Sequence, residues 1–361
     1  MTPGRGAMQS DYMYWAKTQS KVRFALSSSE VPHFRLDSLP LTIADLDLDG
    51  ASHPRYAPLR SAIASRYGVA SDNVVTANGT AMANFLAMAT LIAPGDEVIV
   101  ERPTYEPMLS AALFLGAEVK RVDRRAGDGF RLDIRQLEQL ATPRTRLIVM
   151  ANLHNPSGTL TSEEDLRAIG AIAERSGARV LVDEVYLDSA APPRRTSALL
   201  GSQFVITNSL TKVYGLSGLR CGWILAEPEL AERMWRLNDL FGVNQPHQSE
   251  MLSCFAFQYL NEIARGTAER LQRNRALFNE FVAGRDELQC MTAEHGITAF
   301  PCREGGDTER LDELLRSKYD TSIVPGRWFE MPDHFRVGLG GDPDMLKEGL
   351  ARLGSALDEL K

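Results

Sequence analysis

The sequence predicts an α/β fold: a large domain with a mostly parallel seven-stranded sheet flanked by helices, and a smaller α+β domain built from both chain ends. Three observations predict it. Short β-rich runs alternate with helical patterns from about residue 70 to 226. Two of these runs, Leu147-Ile148-Val149-Met150 and Val180-Leu181-Val182, are apolar on both faces, as strands inside a parallel sheet are. From about residue 228 longer helical patterns and shorter strands replace that alternation.

Seven strands are expected near 74–76, 97–101, 118–122, 146–152, 179–183, 204–208 and 222–226. Helices fall between them. One covers 82–91; another follows Thr161-Ser162-Glu163-Glu164, an acidic capped start before the stripe Leu166, Ile169 and Ile172. Helices are then expected over 229–240, 247–260, 268–285 and 343–360, with strands around 296–300 and 335–339. This divides the chain into an N-terminal segment, 1–40, packing on the small domain; a large domain, 41–240; and the small domain, 241–361. About ten residues at the start read as a loose tail, with a docked segment after them.

Composition narrows the function. The 361 residues carry 40 Lys+Arg against 47 Asp+Glu, a net charge of −7, and 44% of residues are apolar. An acidic chain with pI near 5.5 does not fit a duplex nucleic-acid binder. No apolar run approaches the roughly 20 residues that span a bilayer, and no signal-peptide segment opens the chain, so a cytoplasmic protein is expected. Cys221, Cys254, Cys290 and Cys302 show no CxxC spacing, which points to reduced thiols and no metal framework.

Six short segments carry chemistry. Ser209-Leu-Thr-Lys212 follows a strand and precedes Gly218-Leu-Arg220. A hydroxyl, freed backbone amides and a guanidinium suit a phosphate, and a lysine beside it can condense with a carbonyl cofactor. Asp183-Glu-Val-Tyr186 ends a buried strand, at the sheet edge where open α/β folds bind ligands. A carboxylate there either caps a helix or pairs with a protonated ring nitrogen, and Tyr186 could donate to a phenolate oxygen. Asn155-Pro-Ser-Gly also follows a strand; it is a good local turn, and it makes Asn155 a candidate donor to a ligand oxygen. Asn78-Gly79-Thr80-Ala81 joins a strand to a helix, a ready anion site. Tyr105, in Arg102-Pro-Thr-Tyr105, is placed to stack on a flat ring or to fill a core. Arg336 alternates with Phe335 and Val337, so it faces solvent or meets a carboxylate in a fork.

Together these segments resemble the aminotransferase class I/II family of pyridoxal-phosphate enzymes, fold type I, over about residues 40 to 355. The order and spacing of Gly79-Thr80, Pro103-Thr-Tyr105, Asn155-Pro-Ser-Gly, Asp183-Glu-Val-Tyr186, Ser209-Leu-Thr-Lys212, Arg220 and Arg336 carry the resemblance. It implies an aminotransferase that uses pyridoxal 5′-phosphate and moves an amino group between an amino acid and a 2-oxo acid, with a lysine aldimine at Lys212. Lys212 would also shuttle the proton. Asp183 would keep the ring nitrogen protonated, Asn155 and Tyr186 would bind the ring oxygen, and Tyr105 would stack on the ring. Gly79, Thr80, Ala81, Ser209 and Arg220 would hold the phosphate, and Arg336 the substrate carboxylate. Ala44, in Thr42-Ile43-Ala44-Asp45, stands where the family's N-terminal glycine meets that carboxylate. The family's intersubunit tyrosine has no counterpart in register: Tyr56 is near Leu59-Arg60 but not in place. The resemblance also implies a homodimer.

Two alternatives stay open. The same fold serves decarboxylation and β-elimination, since the bond perpendicular to the ring is the one that breaks. A non-catalytic cofactor-binding sensor would need a basic helix-turn-helix domain, and only about 40 residues precede the core.

Overall fold

The computed structural model describes residues 9–19, 21–303 and 305–361; most of the expected N-terminal tail lies outside these. Its main sheet has seven strands: β1 (Val74–Asn78), β2 (Glu97–Arg102), β3 (Glu118–Asp123), β4 (Thr145–Ala151), β5 (Arg179–Asp183), β6 (Phe204–Ser209) and β7 (Cys221–Leu225). Their order is β1-β7-β6-β5-β4-β2-β3. β7 runs antiparallel to both its neighbours, and every other pairing is parallel. The expected mostly parallel seven-stranded sheet is therefore present.

The period of two along each strand explains how the sheet is covered. Ile148, Met150, Val180, Val182 and Ile206 point to one face, under helices Ala57–Tyr67, Glu163–Ser176 and His247–Phe257. Leu147, Val149, Leu181 and Val205 point to the other, under Gly79–Leu91, Glu106–Phe114 and Pro228–Asn238. Glu163–Ser176 shows why the sequence folds this way locally. Ser162 accepts from the Asp165 amide, three acids occupy the first turn, and Gly177 ends the helix at φ 72°.

In the C-terminal third, Val324–Pro325, Phe335–Gly338 and Thr298–Ala299 form a small antiparallel sheet, covered by Pro343–Glu359. Phe24–Ala25 pairs in parallel with Thr321–Ser322, and Leu26 enters the same core. The N-terminal strand thus ties the start of the chain to its end. The long C-terminal helix differs from expectation. Leu260–Ala283 begins eight residues before the expected 268. Gly266 is absorbed in its interior, at a cost of about 1 kcal/mol. Thr267, next to it, anchors the helix by donating to the Val213 carbonyl at 3.0 Å.

Just under the edge where β2 and β4 end lies a buried ion pair. Arg124 Nε meets Glu101 Oε2 at 2.6 Å, with both side chains fully buried. Every remaining group is used: Arg124 also donates to Phe130 O and Thr161 Oγ1, and Glu101 Oε1 accepts from the Ala151 amide at 2.7 Å. Removing one partner strands the other charge. Arg124→Leu should therefore lower unfolding free energy by about 3–5 kcal/mol, measured by urea denaturation. A loss under about 1 kcal/mol, the scale of a surface pair, would contradict this.

Candidate active site

Parallel register brings three strand ends level. Ala151, Asp183 and Thr207 face one another across β4, β5 and β6. The segments that follow these strands open into a cavity of about 570 Å³ at the carboxyl edge of the sheet. Thr80, Ala81, Tyr105, Asn155, Asp183, Tyr186, Ser209, Lys212, Arg220 and Arg336 all line it. Residues more than 250 positions apart thus converge on one space.

Asp183 is buried, and its two oxygens are held by different donors. Asn84 Nδ2 donates to Oδ2 at 2.8 Å, and the Val185 amide to Oδ1 at 3.0 Å. Burial pushes its carboxyl up to about 6, while these bonds and the Lys212 charge pull the other way. Lys212 follows β6. Its Nζ lies 3.3 Å from Ser29 Oγ and 3.9 Å from Glu30 Oε2. Burial lowers its pKa, the Glu30 charge opposes that, and the Arg336 charge adds to it. A lysine so placed gives up its proton more readily and becomes nucleophilic. The Tyr186 hydroxyl is pushed up to about 12, chiefly by burial, so it stays a donor at neutral pH.

Arg336 sits on Phe335–Gly338 with 1% exposure. It donates to Asn155 Oδ1 at 3.1 Å, to the Tyr12 hydroxyl at 3.0 Å and to the Ser27 carbonyl at 3.3 Å. Among the described residues its buried Nε has no partner and no carboxylate forms an ion pair with it. Such a cation is suited to an incoming carboxylate. The guanidinium also fixes the Asn155 amide: its oxygen faces Arg336, which leaves the NH₂ to donate elsewhere. The turn carrying Asn155 is held by His154, whose Nδ1 lies 2.7 Å from Ser157 Oγ and whose Nε2 lies 2.9 Å from the Pro103 carbonyl. Burial drives that imidazole well below its ordinary pKa, so it is neutral.

At the other end is an anion cradle. Gly79 starts the helix Gly79–Leu91 at φ +80°, a conformation that favours glycine. A Cβ there would collide with an Arg220 guanidinium nitrogen. Thr80 Oγ1, in the first turn, is buried with no partner among the described residues, and Ser209 Oγ accepts from the Thr211 amide at 3.2 Å. Among the described residues Arg220 donates to carbonyls alone, at 3.2 and 3.4 Å. An orphaned hydroxyl, a helix N-terminus and an unneutralised guanidinium are what a phosphate would satisfy. The residues present therefore fit a phosphorylated, ring-bearing aldehyde with Lys212 at its carbonyl and Asp183 at its ring.

Ala44 is corrected. It lies exposed in the turn Ile43–Asp45, capped by Thr42 and Asp45, and does not line the cavity. The chain reaches the cavity earlier, at Ser27–Glu30, because Phe24–Ala25 is pinned beside Thr321–Ser322. Sequence reasoning also missed Tyr12, Ser29, Glu30 and Asn84. Asn84 did leave a signal: it is a lone amide on an otherwise apolar helix face.

A family model, aminotransferase class I and II, matches residues 47–353. Capreomycidine synthase of Streptomyces vinaceus is 29% identical over 83% of this chain and 78% of its own length. Arginine–pyruvate transaminase of Pseudomonas aeruginosa is 26% identical over 99% and 96%. Among solved structures, the PLP-dependent cyclase OrfR is 26% identical, with a TM-score of 0.90 over the whole of both chains.

The pH dependence of the site follows from Asp183. As pH falls through about 6 its carboxylate gains a proton, and the ion pair it could offer a protonated ring nitrogen is lost. Pyridoxal phosphate should bind more weakly below that pH, measured by absorbance titration of the cofactor-free protein. Asp183→Asn should bind weakly throughout, without that step; an unchanged step in the variant would contradict the assignment. With the motif residues gathered in one cavity and the family match spanning most of its length, the chain belongs to the aminotransferase class I and II family, as a pyridoxal-phosphate-dependent aminotransferase.

Proposed function

We propose that this aminotransferase binds the carboxylate of its amino acid, and then of its 2-oxo acid, at Arg336, and moves the substrate's Cα proton with Lys212. One observation carries the reading: Lys212, Asp183 and Arg336, each suited to one part of that chemistry, line a single cavity. When bound, pyridoxal phosphate supplies an electron sink for the bond broken at Cα. Asp183 holds a proton at the ring nitrogen. Asn155 and Tyr186 donate to the ring oxygen, and Tyr105 covers the ring. Gly79, Thr80, Ala81, Ser209 and Arg220 hold the phosphate. Arg336 orients the substrate so that its Cα–H bond faces Lys212 Nζ, which takes the proton as general base.

The charges lining the cavity are not all used by these roles. Arg316 is paired with Asp312, Nε to Oδ2 at 2.7 Å, and Lys21 is exposed to water. Glu30 remains, a half-buried carboxylate whose ion pair among the described residues is with Lys212. A donor with a cationic side chain would give Glu30 a partner once Lys212 Nζ is engaged. Arginine–pyruvate transaminase is named for such a donor.

The protein is further proposed to act as a cytoplasmic homodimer, without nucleic-acid or membrane partners. No helix among the described residues is long and apolar enough to cross a membrane. Among the described residues no two cysteines form a disulfide. Exposed Ile43, Leu48, Leu240, Phe241 and Val243 supply apolar surface for a second copy. A second reading breaks a different bond at the same carbon, by β-elimination or decarboxylation. What supports a second reading is the full-length likeness to a chain named as a cyclase and not as a transaminase.

A half-reaction screen tests the main reading. Amino donors should convert the enzyme's visible aldehyde-form band to an amine-form band and yield 2-oxo acids; ammonia or carbon dioxide released without an acceptor would favour the second reading. Arg336→Gln should lower kcat/KM on the order of 100-fold, chiefly through KM, as expected for a lost charge-assisted pair. Arginine or ornithine should be the better donors, and Glu30→Gln should remove that preference while sparing uncharged donors. A wild-type profile indifferent to side-chain charge would contradict the role of Glu30.

A further inference from the structure

Asn84 stands on the first turns of Gly79–Leu91, the helix whose N-terminus forms the phosphate cradle. It is 5% exposed and lies between two strand ends. Its Oδ1 accepts from Thr207 Oγ1 at 2.6 Å, and its Nδ2 donates to Asp183 Oδ2 at 2.8 Å. Thr207 is fully buried and sits level with Asp183 on the neighbouring strand.

The direction of this chain of bonds is fixed by chemistry. A carboxylate can only accept, so the NH₂ of Asn84 must face Asp183. The amide oxygen then faces Thr207, whose one hydroxyl proton is used on it. With the Val185 amide on Oδ1, each oxygen of Asp183 carries one donor from the protein. Rotation about the carboxyl bond is thereby closed off, and the remaining lone pairs are left for the cavity. None of this serves the core: the helix face around Asn84 is otherwise Ala83, Leu86, Ala87 and Met88. A leucine would pack there without burying an amide.

We propose that Asn84, held by Thr207, is a positioning residue that turns the Asp183 carboxylate toward the ring nitrogen of the cofactor. This rests on the reading that Asp183 meets that ring. It also accounts for a second feature of the site. Burial opposes the Asp183 charge, and the Asn84 bond is the largest of the influences that oppose burial. One amide thus both aims the carboxylate and supports its ionised form.

The test is a pH series of equilibrium titrations of cofactor-free protein with pyridoxal 5′-phosphate. It uses the wild type, Asn84→Leu, Thr207→Val, Thr207→Ser and Asp183→Asn, each checked for folding by circular dichroism. In Asn84→Leu the dissociation constant at neutral pH should rise roughly tenfold or more, the scale of a hydrogen bond to a charged group. The pH below which binding weakens should also move up. Thr207→Val should shift both in the same direction, and Thr207→Ser, which keeps the hydroxyl, should restore them. A merely structural role would weaken binding at every pH without moving the midpoint. Unmoved midpoints in folded Asn84→Leu and Thr207→Val, with a step still removed in Asp183→Asn, would overturn the role of Asn84 alone. A wild-type titration with no step, matched by Asp183→Asn, would overturn the ring assignment and the proposal with it. Should Asn84→Leu fail to fold, the Thr207 pair decides.

Discussion

Burying the Arg336 guanidinium beside hydroxyl, amide and carbonyl oxygens, with no ion-paired carboxylate among the described residues, costs free energy that its hydrogen bonds offset only in part. Asp183 sets the complementary case: a carboxylate held at the bottom of the same cavity, met by two N–H donors and a distant ammonium. A protein that keeps two opposite charges apart, each incompletely satisfied, keeps them for a ligand that carries both complements. The fold makes this tolerable. Asp183 sits at a strand end, where backbone leaves the sheet and side chains from many segments meet without disturbing the ladders, and Arg336 reaches the same cavity from within the small antiparallel sheet.

The sheet places the proposed catalytic groups by register. Asp183 and Thr207 share a level, so the carboxylate and the hydroxyl that steadies its amide partner are set by the same pairing. Lys212 comes three residues past the end of β6, and the Val31 amide donates to its carbonyl at 3.1 Å. That bond carries Ser29 and Glu30 to the lysine's amine. The N-terminal segment is thus part of the site: Tyr12 closes on Arg336, and Phe24–Ala25 holds the segment against the strand that precedes Val324.

The large sheet and the cofactor-side residues were legible in sequence because their signals are local. An apolar strand followed by Asn-Pro-Ser-Gly, Asp-Glu-Val-Tyr or Ser-Leu-Thr-Lys names both the element and the group at its end. The substrate side was not legible for a physical reason. Residues 40–56 have little regular structure, so no periodicity fixes their register, and Ala44 was matched to the site while the chain had already passed it at Ser27–Glu30. Ser29, Glu30 and Tyr12 reach the site through contacts across some 180 to 320 positions, which no local pattern encodes. Asn84 lies between these cases: its lone amide on an apolar helix was visible, but its partners on two other strands were not.

Every proposed role in the cavity depends on Lys212 being the cofactor's covalent anchor. Borohydride reduction of the cofactor-loaded enzyme, followed by protease digestion and mass spectrometry, tests this directly. The account predicts a pyridoxyl-phosphate group fixed to the peptide containing Lys212, and none on Lys212→Ala. Cofactor-loaded protein whose reduced label lies on another lysine, or on none, would contradict it.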